Sequence, residues 1–227
     1  MKILSFDVGI KNLAYCLLDD KEKIIEDWGI LNISVEPVCN HVMKNNHKCD
    51  KTATYQNNDI QLCSSHRKNK QYGELKWKKI PKCKNSVLEI GKKIVTLLDE
   101  NANFLNVENV LIENQPALKN PTMKTVQMLL YSYFLMRGIM IESCCMNGIH
   151  MINARNKLKA YHGPEIECTM TDKYKRTKYL GIEYCKWMIH ENIKIDDKYK
   201  KLFEESKKKD DLSDAYLQGI YWLIKES

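Results

Sequence analysis

Ile3, Leu4 and Phe6 make a short apolar run that stops at Asp7, and a second run begins at Leu13 after the turn Val8-Gly9-Ile10-Lys11-Asn12. This pattern predicts a β-hairpin whose first strand ends on a carboxylate. Such an acid is placed by rigid backbone yet faces the turn, where a cation or substrate can reach it; a turn-initiating Asp is the alternative. Ile24, Ile25, Trp28, Ile30 and Ile33 carry a third strand after the polar turn Asp19-Asp20-Lys21-Glu22-Lys23. From residue 37 to residue 72 the period disappears and Asn, Lys, His and Cys dominate, so this stretch reads as an insertion unable to build its own hydrophobic core.

A helical period returns at Ser86, with Val87, Ile90, Ile94, Val95, Leu97 and Leu98 on one side. Residues 107–113, VENVLIE, are the continuous apolar run of a strand buried on both faces, again ending on a carboxylate. Residues 121–141 then predict a long helix with Pro121 at a permitted first-turn position and apolar residues nearly all round. Either part of that surface packs on another subunit or the helix is wholly internal. Ile149 to Ile152 is a last short strand, followed by helical stretches near 155–161, 172–190 and 208–225. The order predicts an α/β fold, a mixed sheet of three antiparallel strands plus parallel strands with helices on its faces.

At 227 residues the chain suits a single domain over 1–227 with an insertion at 37–72, and it can bury a substantial core. Lys and Arg total 36 against 29 acids, a formal +7 that suits a polyanionic partner. Met1 running straight into the first strand leaves no room for a signal segment, and no stretch reaches the roughly 18 apolar residues of a membrane span. With nine scattered cysteines and no secretory signal, the expected setting is intracellular and reducing.

The segment KKKDDLSDAYLQGIYWLIK carries Asp210, Asp211 and Asp214, and on a helix Asp211 and Asp214 share one face. First-turn acids also cap helices, but three of them before an apolar helix exceed what one cap requires. Four carboxylates from the ends of two strands and the start of a late helix repel one another unless cations hold them. Hard oxygen ligands suit magnesium or manganese, and two such ions about 3.5–4 Å apart promote phosphodiester hydrolysis.

Asp7 within FDVGIKNLAY, Glu113 within LIENQP, and Asp211 and Asp214 within KKDDLSDA resemble the RuvC-like Holliday junction resolvases, which have an RNase H-like fold. Within that superfamily the chain looks most like the poxvirus-type branch found in large DNA viruses. The resemblance covers most of the chain outside 37–72. It implies a homodimeric endonuclease that cuts four-way DNA junctions with two symmetric nicks, with Asp7, Glu113, Asp211 and Asp214 holding two Mg2+ (or Mn2+) and Asp210 behind them. For a viral protein it also implies a cytoplasmic replication site or the host nucleus. Resolvases of that branch carry a basic residue near the metals; Lys178 is the best match, with Lys173, Lys175 and Arg176 close by. Asn12 and Gln115 flank the acids and could orient water or DNA.

Cys39, Cys49, Cys63 and His66 form C-x9-C-x13-C-x2-H, and a segment so poor in hydrophobes needs a staple such as a structural zinc. His41 or His47 could replace a cysteine, and mobile unligated thiols are the alternative. Cys83, Cys144, Cys145, Cys168 and Cys185 read as buried apolar groups. Arg155, Lys157 and Lys159 in RNKLKAY, and Lys173, Lys175 and Arg176 in KYKRTK, are candidate phosphate contacts, with Lys11 in the first turn; solubilising surface explains either stretch alone. Lys68, Lys70, Lys76, Lys78 and Lys79 offer further cations in or beside the insertion. Three rivals remain: another RNase H-like nuclease (RNase H or flap-type), a non-catalytic zinc-containing DNA-binding protein, and an actin-like ATPase or sugar kinase. The last lacks a second Gly-rich phosphate loop here.

Overall fold

The computed structural model describes residues 1–21, 23–80, 87–118 and 120–226. In chain order the strands are β1 (Lys2–Val8), β2 (Asn12–Asp19), β3 (Ile24–Asn32), β4 (Tyr55–Asn57), β5 (Ile60–Leu62), β6 (Lys78–Lys79), β7 (Asn109–Glu113) and β8 (Gly148–Ile152). The α-helices are α1 (Val87–Asp99), α2 (Pro121–Phe134), α3 (Lys173–Glu191), α4 (Asp197–Glu205) and α5 (Lys209–Glu226). The chain divides into two compact units, Met1–Ile33 with Gly91–Ser227, and Ser34–Ile90.

The first unit is built on a five-stranded sheet of order β3-β2-β1-β7-β8. β1, β2 and β3 are antiparallel, whereas β7 runs parallel to β1 and β8 parallel to β7. The mixed sheet expected from the sequence is therefore present. In the turn between β1 and β2, a Cβ on Gly9 would collide with the backbone carbonyl oxygen of Asn12, so only glycine closes the hairpin this way.

Strand alternation sorts the sheet's two faces. Phe6 points to one face, where its ring meets Phe104 and Phe134 at centroid distances of 6.0 and 5.6 Å. Ile3 and Leu111 lie on the other, in a cluster with Leu212, Ala215, Tyr216 and Ile220 of α5. Contact there is close: a Cβ on Gly219 would come within 2.6 Å of Leu18 Cδ1. Gln218 donates to Ser5 Oγ and to the Phe6 carbonyl, both at 3.1 Å, and so fixes the register of α5 on β1.

Helix α2 starts at an Asn120 cap that accepts from the Met123 amide, with Pro121 at the first position. The helix expected over 121–141 is α-helical to Phe134 and continues as a π-turn over Leu135–Ile139. Val126, Leu130, Tyr133 and Phe134 are buried, while Met128, Met136 and Met140 are exposed. In α1, Ile90, Ile94 and Leu98 are buried but Val87 and Val95 are exposed; the expected start at Ser86 falls outside the described residues. Helix α4 is an element the apolar period did not predict; Asp196 caps it and only Tyr199 and Phe203 are buried. No described helix is long and apolar enough to cross a membrane.

The second unit contains the stretch at 37–72 and carries a small antiparallel sheet of order β5-β4-β6. Its buried cluster is Cys39, Cys49, Leu62 and Cys63, with Tyr72 and Trp77 packed against it. Of the cysteines expected to be buried, Cys185 is; Cys144 and Cys168 are half-buried, Cys145 is exposed and Cys83 falls outside the described residues.

Candidate active site and metal centre

Period-two alternation puts Asp7 on the face of Ile3 and Ser5, and Glu113 on the face of Leu111. This is the face that α5 covers. Pairing of β1 with β7 sets Phe6 opposite Ile112, so both strands end at one level of the sheet. On α5, Asp214 lies one turn before Gln218, whose amide is fixed to Ser5 and Phe6; this aims Asp214 at the end of β1. Lys157 enters from the 3-10 helix Ala154–Ala160 that follows β8. Its Nζ lies 2.9 Å from Asp7 Oδ1, 3.0 Å from Glu113 Oε1 and 3.0 Å from Asp214 Oδ2.

The Lys157 side chain is 5% exposed, against 42% for Asp214, so the cluster is reached from the Asp214 side. Burial works against the Lys157 ammonium, but Asp7, Asp214 and Glu113 outweigh it and hold it firmly protonated. Burial raises Glu113 from 4.5 to about 7; Lys157 opposes the shift and Asp7 adds to it. Asp214 rises from 3.8 to about 6 through burial, against Lys157 and with Asp7. Asp211 is raised by burial and by Asp210, is near enough to Asp7 to feel its charge, and accepts a hydrogen bond from Asn12. Hard carboxylate oxygens thus converge on a single cation position, a donor set that fits magnesium or manganese.

No family model matches the chain. An uncharacterized protein of Acanthamoeba polyphaga mimivirus is 29% identical over 314 aligned positions, spanning 98% of this chain and 74% of that protein. Among solved structures, the yeast mitochondrial Holliday junction resolvase Ydc2 aligns with a TM-score of 0.53 at 16% identity, covering 97% of this chain and 78% of that one. Thermus thermophilus RuvC in complex with a Holliday junction substrate aligns with a TM-score of 0.52 at 8% identity, covering 100% of this chain and 96% of that one. This chain has the RuvC-like resolvase fold.

On that RuvC-like fold Asp7, Glu113 and Asp214 come together around Lys157, Asp211 lies near them and pairs with Lys208 at 3.8 Å, and the basic residues sort differently. Lys178, expected beside the acids, is on the exposed start of α3 and bonds Asp210 at 2.5 Å; Lys157, expected as a surface phosphate contact, is the buried one. The reason is chain path: the 3-10 helix after β8 packs under α5 and turns Lys157 inward. Burial alone would raise Asp210, but the bond and charge of Lys178, the Asp211 amide and Lys208 together lower it; it pairs with Lys178 and not with Lys157. Gln115, expected to touch DNA, is also buried, and its amide donates to Glu113 Oε2 at 2.6 Å. Its own backbone amide donates to Gln127 Oε1 at 2.9 Å, tying the end of β7 to α2. Lys11, Arg155, Lys159, Lys173, Lys175 and Arg176 are exposed.

In the second unit, one donor atom from each of Cys39, Cys49, Cys63 and His66 lies within 4.8 Å of every other. A tetrahedral zinc site with Zn–S bonds of about 2.3 Å has edges of about 3.8 Å, so slight contraction closes the shell. The backbone sets the donors: the Cys39 amide bonds the Lys51 carbonyl at 3.0 Å and the Cys49 amide the His41 carbonyl at 2.9 Å. Burial raises Cys63, but N–H donors from His66 and Ser65 help bring it below the ordinary thiol value. Burial and neighbouring His41 lower His66, favouring the neutral imidazole a metal requires. His41 is not a donor; its ring packs 4.0 Å from that of His66. These four residues can hold a metal ion.

Proposed function

We propose that the chain is a Holliday junction resolvase, a metal-dependent endodeoxyribonuclease that makes paired symmetric nicks in four-way DNA junctions. The observation that carries this reading is the meeting of Asp7, Glu113 and Asp214 within 3.0 Å of one point, on a fold shared with two junction resolvases. Asp7, Glu113, Asp211 and Asp214 are the ligands for two Mg2+ or Mn2+ ions. When bound, such ions supply an activated water and stabilise the departing oxygen of the phosphodiester. Gln115 holds Glu113 in place, Asn12 holds Asp211, and Lys178 with Asp210 forms an outer ion pair.

Lys11, Arg155, Lys159, Lys173, Lys175 and Arg176 are the proposed phosphate contacts, so binding should weaken steeply as salt rises. A structural zinc on Cys39, Cys49, Cys63 and His66 holds the second unit, whose exposed Lys68, Lys70, Lys76, Lys78 and Lys79 add further cations. The exposed methionines of α2 and its π-turn are the proposed homodimer surface, since two coordinated nicks need two active sites. The mimivirus relative favours a large DNA virus as the setting, at a cytoplasmic replication site or in the host nucleus.

The test is a substrate panel: labelled four-way junction, flap, duplex and RNA/DNA hybrid, each with and without Mg2+, with all nicks mapped. Paired nicks in the junction that need Mg2+ are expected. Preferred cutting of the hybrid would favour an RNase H instead, and binding without any cutting would favour a non-catalytic DNA-binding protein.

A further inference from the structure

An ammonium has three N–H donors, and those of Lys157 are matched by one carboxylate oxygen each from Asp7, Glu113 and Asp214 at 2.9, 3.0 and 3.0 Å. With the side chain 5% exposed, this cation is fully desolvated and fully paired. Removing one partner from such a set strands a buried charge, which is strongly unfavourable. The protein therefore offsets part of the charge of its own acid cluster with an internal cation. The same three acids are the proposed metal ligands, and Mg2+ draws its oxygens in to about 2.0–2.1 Å. An ion taking those oxygens needs the space between them, where the ammonium now lies.

We propose that Lys157 is the resting cation of this site and that loading a divalent metal evicts its ammonium from among the three carboxylates. This rests on the metal-site reading above. The way out is marked by Asp214, whose side chain is 42% exposed at the edge of an otherwise closed cluster. The stem is flexible while its base is fixed, since the 3-10 helix that carries it also buries Ala160 against α5. Exposed Arg155 and Lys159 flank it in sequence. An evicted ammonium adds a third positive group to that stretch, so metal loading makes the site's mouth more attractive to an anionic backbone. Before metal arrives, the lysine keeps these three acids folded side by side.

The test is lysine acetylation read by mass spectrometry on wild-type protein, with Mg2+ binding followed in parallel by calorimetry. Without metal, Lys157 should stay unmodified while exposed Lys159 is acetylated, giving an internal control. At saturating Mg2+ the Lys157 rate should rise by roughly tenfold or more as its burial is lost. If Mg2+ binds and Lys157 stays protected, the exchange is wrong and the metal site stands; if no Mg2+ binds, both fail. Lys157→Met gives a second readout. Without the competing charge its Mg2+ affinity should tighten by about tenfold or more, and unchanged or weaker affinity would overturn the exchange.

Discussion

At the scale of single residues, Glu113 and Asp214 have pH-dependent consequences that can be measured without substrate. Both folded values lie above the unfolded ones, and Glu113, 12% exposed and raised to about 7, carries most of the effect, since the Asp214 side chain is 42% exposed. Between the two sets of values the native state holds protons that the unfolded chain has lost. Stability from these groups therefore falls as pH rises through that window. Metal-free protein should show a lower melting temperature at about pH 8 than at about pH 5, and Glu113→Gln should flatten that difference. Mg2+ should raise the melting temperature more at the higher pH, because binding competes with those protons. The acids themselves were legible in the sequence, since apolar runs that stop on Asp7 and Glu113 mark strand ends. Lys157 was not, because a lysine within RNKLKAY looks like any surface lysine until the path of the chain after β8 is known.

At the scale of elements, Met128 of α2, Met136 of its π-turn and Met140 just after it are exposed to solvent, though only one face of α2 is needed to cover the sheet. Charges there should leave the fold intact and break an assembly that depends on it. Wild-type protein at micromolar concentration should run as a dimer in gel filtration with light scattering, and Met128→Lys with Met136→Glu should run as a monomer. A wild-type monomer would remove this face as the proposed interface. Apolar period revealed this helix and its neighbours because their buried faces repeat over many turns. It missed α4, where Tyr199 and Phe203 are the only buried side chains, and the short strands β4 to β6, where hardly any apolar side chain alternates.

At the scale of the whole molecule, the chain joins a unit with its own large hydrophobic core to one whose buried cluster centres on three thiols. The second should depend on metal for its order. Elemental analysis of purified protein should find about one zinc per chain, and Cys63→Ser should lose it and expose the Ser34–Ile90 stretch to proteolysis; zinc-free wild-type protein with the same protease resistance would rule the staple out. The spacing C-x9-C-x13-C-x2-H named the four donors because ligand chemistry restricts which residues can take part. The mixed character of the sheet also follows from the order of apolar segments, but the strand order and the parallel pairing of β7 with β1 are set by tertiary packing that the segment order does not reveal. The role of Gln115 as a buried brace for Glu113 needed the packing of β7 against α2. The most direct test of the central claim is single-turnover cleavage of a four-way junction in Mg2+ by wild type and by Asp7→Asn, with junction binding measured on the same samples. The variant should bind like wild type and cut slower by about a hundredfold or more. Cleavage by Asp7→Asn near the wild-type rate would contradict that claim.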